Sequence, residues 1–337
     1  MTTPLAIEDL RSRAAAGDGQ AAVALGARLL VGDDAPFSPE EGANWLARAA
    51  DAGAPEGHRL TATLAAAGIG RPQGWSEALD RLETGAALGE PACQAQLRLL
   101  AACPDGITVR EVPAGASWRA LRDAVDLAAW TAAVERRPVC EAPRIREVDR
   151  FLAPNVCDWL IAAARGRLEQ ATMYNPASKR NEPHPGRTNS TFLFDVRRAD
   201  VVVALVRARI AATVKIPLPC FEPTQVFHYA PGQTIAGHYD YLEAREMTRY
   251  GTGERYDGQR IATFLIYLND DYQAGETIFP KVGYSFKGRR GSALFFANVD
   301  AAGEPERLSL HAGAPPTGGD KWIISQWIHN QPFTGMD

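Results

Sequence analysis

The sequence predicts an α+β protein of two domains: an N-terminal α-solenoid of helix pairs, then a double-stranded β-helix (jelly-roll) with supporting helices. Two observations predict it. The first hundred residues repeat with a fixed period, and the last hundred break into short β-rich runs separated by turns. A length of 337 residues is long for one core and suits two domains.

The repeat is read from "AAAGDGQAAVALGARL", "ADAGAPEGHRLTATLA" and "AALGEPACQAQLRLLA". Gly17, Gly53 and Gly89 mark the same point in each, a spacing of 36 residues both times. The intervening "SPEEGANWLARAADAG" and "GWSEALDRLETGAALG" also superpose. A period in the thirties with alanine-rich segments means stacked helix pairs. The glycines fit the ends of the second helices, where a left-handed residue stops the turn. Ser38 and Ser76 are expected as caps near helix starts. The pattern resembles the Sel-one-like repeat, a relative of the tetratricopeptide repeat, across residues 4–102. That resemblance implies a surface for a protein partner.

The expected boundaries are residues 1–102 for the repeats, 103–142 for a linker with a joining helix, and 143–337 for the second domain. In the linker, "CPDGITVREVPAGAS" is rich in turn residues. Residues 117–136 regain a helical period, with Trp118, Leu121, Val125 and Ala128 on one face. "RRPVCEAPR" then reads as a connection.

In the second domain a short strand precedes a helix that begins after Ala153, with Pro154 tolerated in its first turn. "MYNPASKRNEPHPGRTNS" is rich in Pro, Asn and Ser, so a long loop is expected. "RADVVVALVRARIAATV" reads as a helix. Eight β-rich runs follow: "TQVFHYA", "TIAGHYDYL", "RIATFLIYLN", "ETIFP", "YSFKG", "SALFFAN", "LSLHAG" and "KWIISQWIH". Regular turns between short strands in this order suggest a jelly-roll.

Composition removes several classes. A hydrophobic share of 46% is that of an ordinary folded protein. A net charge of −4 gives no electrostatic case for nucleic acid. No apolar run approaches the roughly 20 residues that cross a bilayer, so no membrane partner is expected. The first residues lack the shape of a secretory signal. The five cysteines are scattered and odd in number, against a disulfide framework or a cysteine zinc site. The expectation is a cytoplasmic protein with free thiols.

The chemistry is carried by "HYD". Residues i and i+2 of a strand share a face, so His238 and Asp240 can converge on one point. By itself a His-x-Asp pair is more often a satisfied surface pair. A second histidine, His311, would complete the two-histidine, one-carboxylate set that holds non-haem Fe(II) with open positions. Lys321 follows ten residues later, after a turn and at the start of a strand, placed to point into the same mouth.

The full run is "HYD", "RIATFLIYLN", "AGETIFP", "GSALFF", "LHAG" and "GDKW". With "RTNSTFLF", "PTQVFHYAPGQ" and "KWIISQWIH", it resembles the 2-oxoglutarate and Fe(II)-dependent oxygenases, in the prolyl 4-hydroxylase branch, over residues 143–333. The resemblance implies Fe(II) on His238, Asp240 and His311, and Lys321 paired with the distal carboxylate of 2-oxoglutarate. It places the hydroxyls of Tyr229 and Tyr267 on the cosubstrate; Thr263, four residues before Tyr267, shares that inward face. It implies O2 as oxidant, succinate and CO2 as coproducts, and ascorbate as reductant. The substrate implied is a prolyl residue of a peptide or protein, with Arg187, Arg260 and Trp327 on the substrate side.

The match departs at two points. Ile235 stands where the family usually carries a tyrosine, three residues before the first ligand. The usual doubled glycine is Ala274-Gly275. Ile235 removes a hydroxyl beside the substrate, which leaves open the same chemistry on another residue or a small molecule. A repeat-based adaptor whose barrel senses iron, oxygen or 2-oxoglutarate is the non-enzymatic alternative. The other histidines read as dull: His58 in a repeat helix, His184 in the Pro-rich loop, His228 facing away from Tyr229, and His329 packed or at the surface.

Overall fold

In a computed structural model, residues 6–175, 178, 180–243 and 258–333 are described, the side chains of Tyr174 and Asn175 excepted. The chain divides into two compact units. One comprises residues up to Thr131 together with Asp195–Ala208; the other comprises Ala132–Phe194 and the chain from Arg209 onward.

The first unit opens with six helices: α1 (Ile7–Ala15), α2 (Gly19–Leu29), α3 (Pro39–Asp51), α4 (Pro55–Ala67), α5 (Trp75–Ala87) and α6 (Pro91–Ala102). Gly17, Gly53 and Gly89 close α1, α3 and α5 with φ of 95°, 87° and 91°. A left-handed residue there turns the next amides back onto the helix. The Ala54 N–H reaches Ala49 O at 3.0 Å, and the Glu90 N–H reaches Gly85 O at 2.9 Å. Prolines at the starts of α3, α4 and α6 need no amide partner in a first turn. Ser38 precedes α3, but its side chain makes no capping bond. Ser76 lies inside α5, whose cap residue is Gly74, and accepts a hydrogen bond from Arg122 instead. Leu10, Leu25, Leu29, Leu46, Leu60 and Leu64 fill the core between the first four helices.

The single helix expected over 117–136 is two short ones, α7 (Trp118–Asp123) and α8 (Leu127–Trp130). Asp126 breaks the run because its carboxylate caps α8 through the Ala129 amide at 2.9 Å. A strand, β1 (Arg137–Glu141), then begins within the stretch read as linker, and pairs with β2 (Arg144–Val148). Helix α9 (Pro154–Ala164) starts at the expected proline.

The expected long loop holds a hairpin. After β3 (Glu169–Gln170), β4 (Met173–Asn175) pairs with β5 (Arg180–Glu182), and β6 (Ser190–Leu193) follows. Helix α10 (Val201–Val214) contributes its residues up to Ala208 to the first unit. Val201, Val202, Val203, Leu205 and Val206 are all buried, as befits a helix apolar all round. Its first amides are met by the Asp200 carboxylate, bonded to the Val203 N–H at 2.8 Å, and by Gln96 of α6, whose Oε1 accepts from the Val201 N–H at 3.0 Å.

All eight predicted β-runs form strands: β7 (Gln225–Tyr229), β8 (Ile235–His238), β9 (Arg260–Tyr267), β11 (Thr277–Phe279), β12 (Tyr284–Phe286), β13 (Ala293–Ala297), β14 (His311–Gly313) and β16 (Lys321–His329). Two short additions, β10 (Gln273–Ala274) and β15 (Pro316–Gly318), pair with each other. The strands make a larger sheet in the order β1-β2-β13-β9-β16-β7-β6-β3 and a smaller one in the order β12-β11-β14-β8. Both are antiparallel throughout, as a jelly-roll requires. Phe227, Leu265, Phe279, Leu294, Phe296 and Ile323 are drawn from both sheets into one apolar cluster. Ala274 and Gly275 both take left-handed φ, 54° and 75°, at a register shift of the β10–β15 pair. The backbone explains a glycine preference at both positions.

Candidate active site

The smaller sheet aims two of the three candidate side chains. Strands β8 and β14 are neighbours, and their register sets His311 directly opposite His238, with ring centroids 4.3 Å apart. Asp240, two residues on, returns to the same face. One donor atom from each of the three lies within 4.8 Å of the others. Among the described residues, this is the group of such side chains that could hold a metal ion.

Each imidazole is oriented by its own backbone. His238 Nδ1 lies 2.9 Å from Ala236 O, and His311 Nδ1 lies 3.0 Å from Ser309 O. A carbonyl partner puts the proton on Nδ1 and leaves Nε2 as the free donor. The Nε2 atoms face the carboxylate, His238 at 3.4 Å from Oδ1 and His311 at 3.6 Å from Oδ2. Burial, aided by the His238 charge, pushes His311 down to about 4, so its ring is neutral at pH 7. Burial works against the Asp240 charge, but His311, His238 and the Thr263 hydroxyl outweigh it and hold the group ionised. Two imidazoles with free Nε2 atoms and a carboxylate form a donor set suited to a divalent iron ion.

These groups open on a cleft lined by Phe227, Tyr229, Ile235, Leu265, Thr277, Ile323, Ser325 and Trp327. Beside it Lys321 is fully buried, at the start of β16 and in register with Tyr229. Its Nζ lies 5.0 Å from the Tyr229 ring and 5.6 Å from the Tyr267 ring. One of its three N–H groups donates to Gly275 O at 2.7 Å. Burial lowers its pKa to about 7, against the pull of Glu276. Tyr267 is buried and exchanges a hydrogen bond of 2.7 Å with the Thr277 hydroxyl. Burial raises both tyrosines, so they stay neutral hydroxyls.

The other predicted positions fall in different places. Thr263 has the inward face expected of it, yet its hydroxyl is committed to Asp240 at 2.6 Å. Ile235 is buried in the cleft wall. Arg187 bridges to Ile235 through the backbone, and its guanidinium sits 5.3 Å from the Phe227 ring with Nε buried and without a partner among the described residues. Trp327 lines the cleft, and its indole N–H is buried without a partner among the described residues. Arg260 is not among the described residues that line the cleft. It stacks on Trp327 at 4.0 Å and pairs with Glu222 through both guanidinium arms. Glu222 also meets His329 at 2.6 Å, so His329 belongs to a buried polar cluster. His228 stacks on Trp322 and faces Asp320, on the opposite side of β7 from Tyr229.

Sequence reasoning missed Asn298, Thr277, Glu222 and Ser325. Alternation along "ETIFP" puts Thr277 on the face of buried Phe279, so that signal was present. Asn298 and Glu222 have no local signal. Their partners lie 35 and 38 residues away in the chain.

A jelly-roll that aims two imidazoles and a carboxylate at one point, with a buried lysine beside them, defines a non-haem iron oxygenase. The curated sequence relatives agree. The 2OG-Fe(II) oxygenase superfamily matches residues 224–329. Probable prolyl 4-hydroxylase 6 of Arabidopsis thaliana is 34% identical over 210 residues, covering 57% of this chain and 70% of that protein. Probable prolyl 4-hydroxylase 7 is 32% identical over 57% of this chain and 64% of its own length, and prolyl 4-hydroxylase 1 is 31% identical over 59% and 73%. Among solved structures, the viral collagen prolyl hydroxylase of Paramecium Bursaria Chlorella virus-1 is 26% identical, with a TM-score of 0.43, over 57% of this chain and 98% of that one. A Sel1 repeat protein from Oxalobacter formigenes is 27% identical, with a TM-score of 0.26, over 27% of this chain and 26% of that one. The chain belongs to the 2OG-Fe(II) oxygenase superfamily, among the prolyl 4-hydroxylase-like dioxygenases.

Proposed function

We propose that the chain hydroxylates a side chain of a peptide or protein, a prolyl residue foremost, using 2-oxoglutarate and O2 and releasing succinate and CO2. The observation that carries this reading is the convergence of His238, Asp240 and His311 on one point of an apolar cleft. These three residues would hold Fe(II), for which their free Nε2 atoms and ionised carboxylate are suited. When bound, the metal and the keto acid supply the oxidising power that breaks an unactivated C–H bond. Lys321 meets the distal carboxylate, a partner that offsets the cost of burying its ammonium. Tyr229 and Tyr267 flank that carboxylate as neutral donors. Phe227, Leu265 and Ile323 keep bulk water from the reacting groups. Arg187 and Trp327, each with a buried N–H lacking a partner among the described residues, offer donors to a peptide backbone. Ascorbate serves as reductant, and the helical repeats take a protein partner. Five unpaired cysteines support a cytoplasmic setting.

The expected outcome is Fe(II)-dependent conversion of 2-oxoglutarate to succinate by the purified chain, abolished in His238→Ala. Mass spectrometry of prolyl peptides should then show the gain of one oxygen. No turnover of 2-oxoglutarate under these conditions would sink the enzymatic reading. A second reading, hydroxylation of another residue type, is favoured by Ile235, which makes the cleft wall apolar where the family usually carries a phenol. Oxygen gain on a residue other than proline decides for it.

A further inference from the structure

We infer that Thr263 and Asn298 are positioning residues for the metal: together they hold Asp240 through one carboxylate oxygen and so set the affinity of the site for a divalent ion. The inference rests on reading His238, Asp240 and His311 as ligands. Asp240 lies beyond the end of β8, outside the strand ladder that orients the two histidines. Its aim must come from elsewhere. Thr263 Oγ1 donates to Asp240 Oδ2 at 2.6 Å, and Asn298 Nδ2 donates to Thr263 Oγ1 at 3.0 Å. Both supporting residues are fully buried.

The direction of this chain is fixed by chemistry. An ionised carboxylate only accepts, so the single hydroxyl hydrogen goes to Asp240, and a hydroxyl lone pair is left for the amide N–H. Asn298 is itself anchored by main chain on both sides. Its N–H donates to Ile261 O at 2.9 Å, and its C=O accepts from the Glu306 N–H at 2.9 Å. The pairing of Ala297 with Ala262 brings β13 and β9 into the register that joins Asn298 to Thr263. The result is a rigid strut from the larger sheet to the carboxylate. With Oδ2 engaged by the hydroxyl, Oδ1 is the oxygen left without a hydroxyl partner among the described residues.

The test is an anaerobic titration of the full chain with Co(II), without 2-oxoglutarate, followed by visible ligand-field absorption. Thr263→Val keeps the shape and removes the hydroxyl. It should weaken Co(II) binding by roughly 10–100-fold, the usual effect of losing an outer-shell partner, and change the absorption band. Thr263→Ser restores the hydroxyl and should recover binding and spectrum. Equal binding by Thr263→Val and the unaltered chain overturns the inference, as does Thr263→Ser binding as weakly as Thr263→Val. If Thr263→Val does not fold, Asn298→Ala carries the test, with weaker binding expected and unchanged affinity and spectrum overturning it. If the unaltered chain binds Co(II) no better than Asp240→Ala, the ligand reading itself fails and the inference with it.

Discussion

Lys321 begins β16 with its ammonium out of water, and that has a consequence in solution. Burial holds its pKa at about 7, with Glu276 pulling upward and the Tyr229 and Tyr267 rings facing it. A bound carboxylate favours the charged form. Below pH 7 the ammonium is ready to pair; above it a proton must first be taken up. The affinity for 2-oxoglutarate should therefore fall as pH rises through about 7, by up to roughly tenfold per unit. Calorimetric titration between pH 6 and 9 checks this, and a flat profile counts against the pairing. Lys321→Gln should bind the keto acid about 30-fold more weakly or worse and lose the dependence. The position of Lys321 was legible from its distance after His311. The commitment of the Thr263 hydroxyl to Asp240 was not, because strand alternation specifies a face and not a partner.

Elements follow local rules, and so do the costs of breaking them. At Gly53 an added Cβ meets nothing within 4 Å, so the residue is there for its φ of 87°. Gly53→Ala should cost about 1–2 kcal/mol through backbone strain alone, and Gly17→Ala and Gly89→Ala should match it. Gly57 is a different case. Its Cβ would sit 2.7 Å from the Ala50 amide nitrogen, so α3 and α4 would have to separate. Overpacking of this kind costs roughly 1–3 kcal/mol. Urea midpoints at constant slope measure both, and a neutral Gly53→Ala would show that φ is not what selects glycine there. The 36-residue spacing made the first three glycines readable. Gly57 was not, since its reason is a neighbouring helix. The pairing of Met173–Asn175 with Arg180–Glu182 was hidden for a related cause: a strand this short is revealed only by its partner.

At the scale of the molecule, the two units are not consecutive halves of the chain. Asp195–Ala208 belongs with the helical repeats, and Gln96 of the last repeat helix serves the first amide of α10. A chain lacking residues 1–102 should therefore leave Val201–Val206 uncovered. We expect stronger dye binding to exposed apolar surface and a lower melting temperature than in the full chain. A truncated chain that stays monodisperse, binds no dye and melts at the same temperature would show that α10 needs no such cover. No described helix is long and apolar enough to cross a membrane, and Val201–Val206 is buried within the protein. Its sequence already shows an apolar helix without a polar face, but not which helices cover it.

By itself the sequence determined what recurs at short range. It set the repeat period, the eight strands, the His-x-Asp alternation, and the chemical type of His238, Asp240, His311 and Lys321. These depend on backbone periods of 2 and 3.6 residues, which any window of sequence displays. The tertiary structure alone decided what meets across long separations. It set His311 opposite His238, put Asn298 and Thr263 behind Asp240, stacked Arg260 on Trp327 rather than in the cleft, and joined Asp195–Ala208 to the repeats. Hydrogen bonds and close packing act over a few ångströms, whatever the distance along the chain, so these pairings exist only once the sheets have closed.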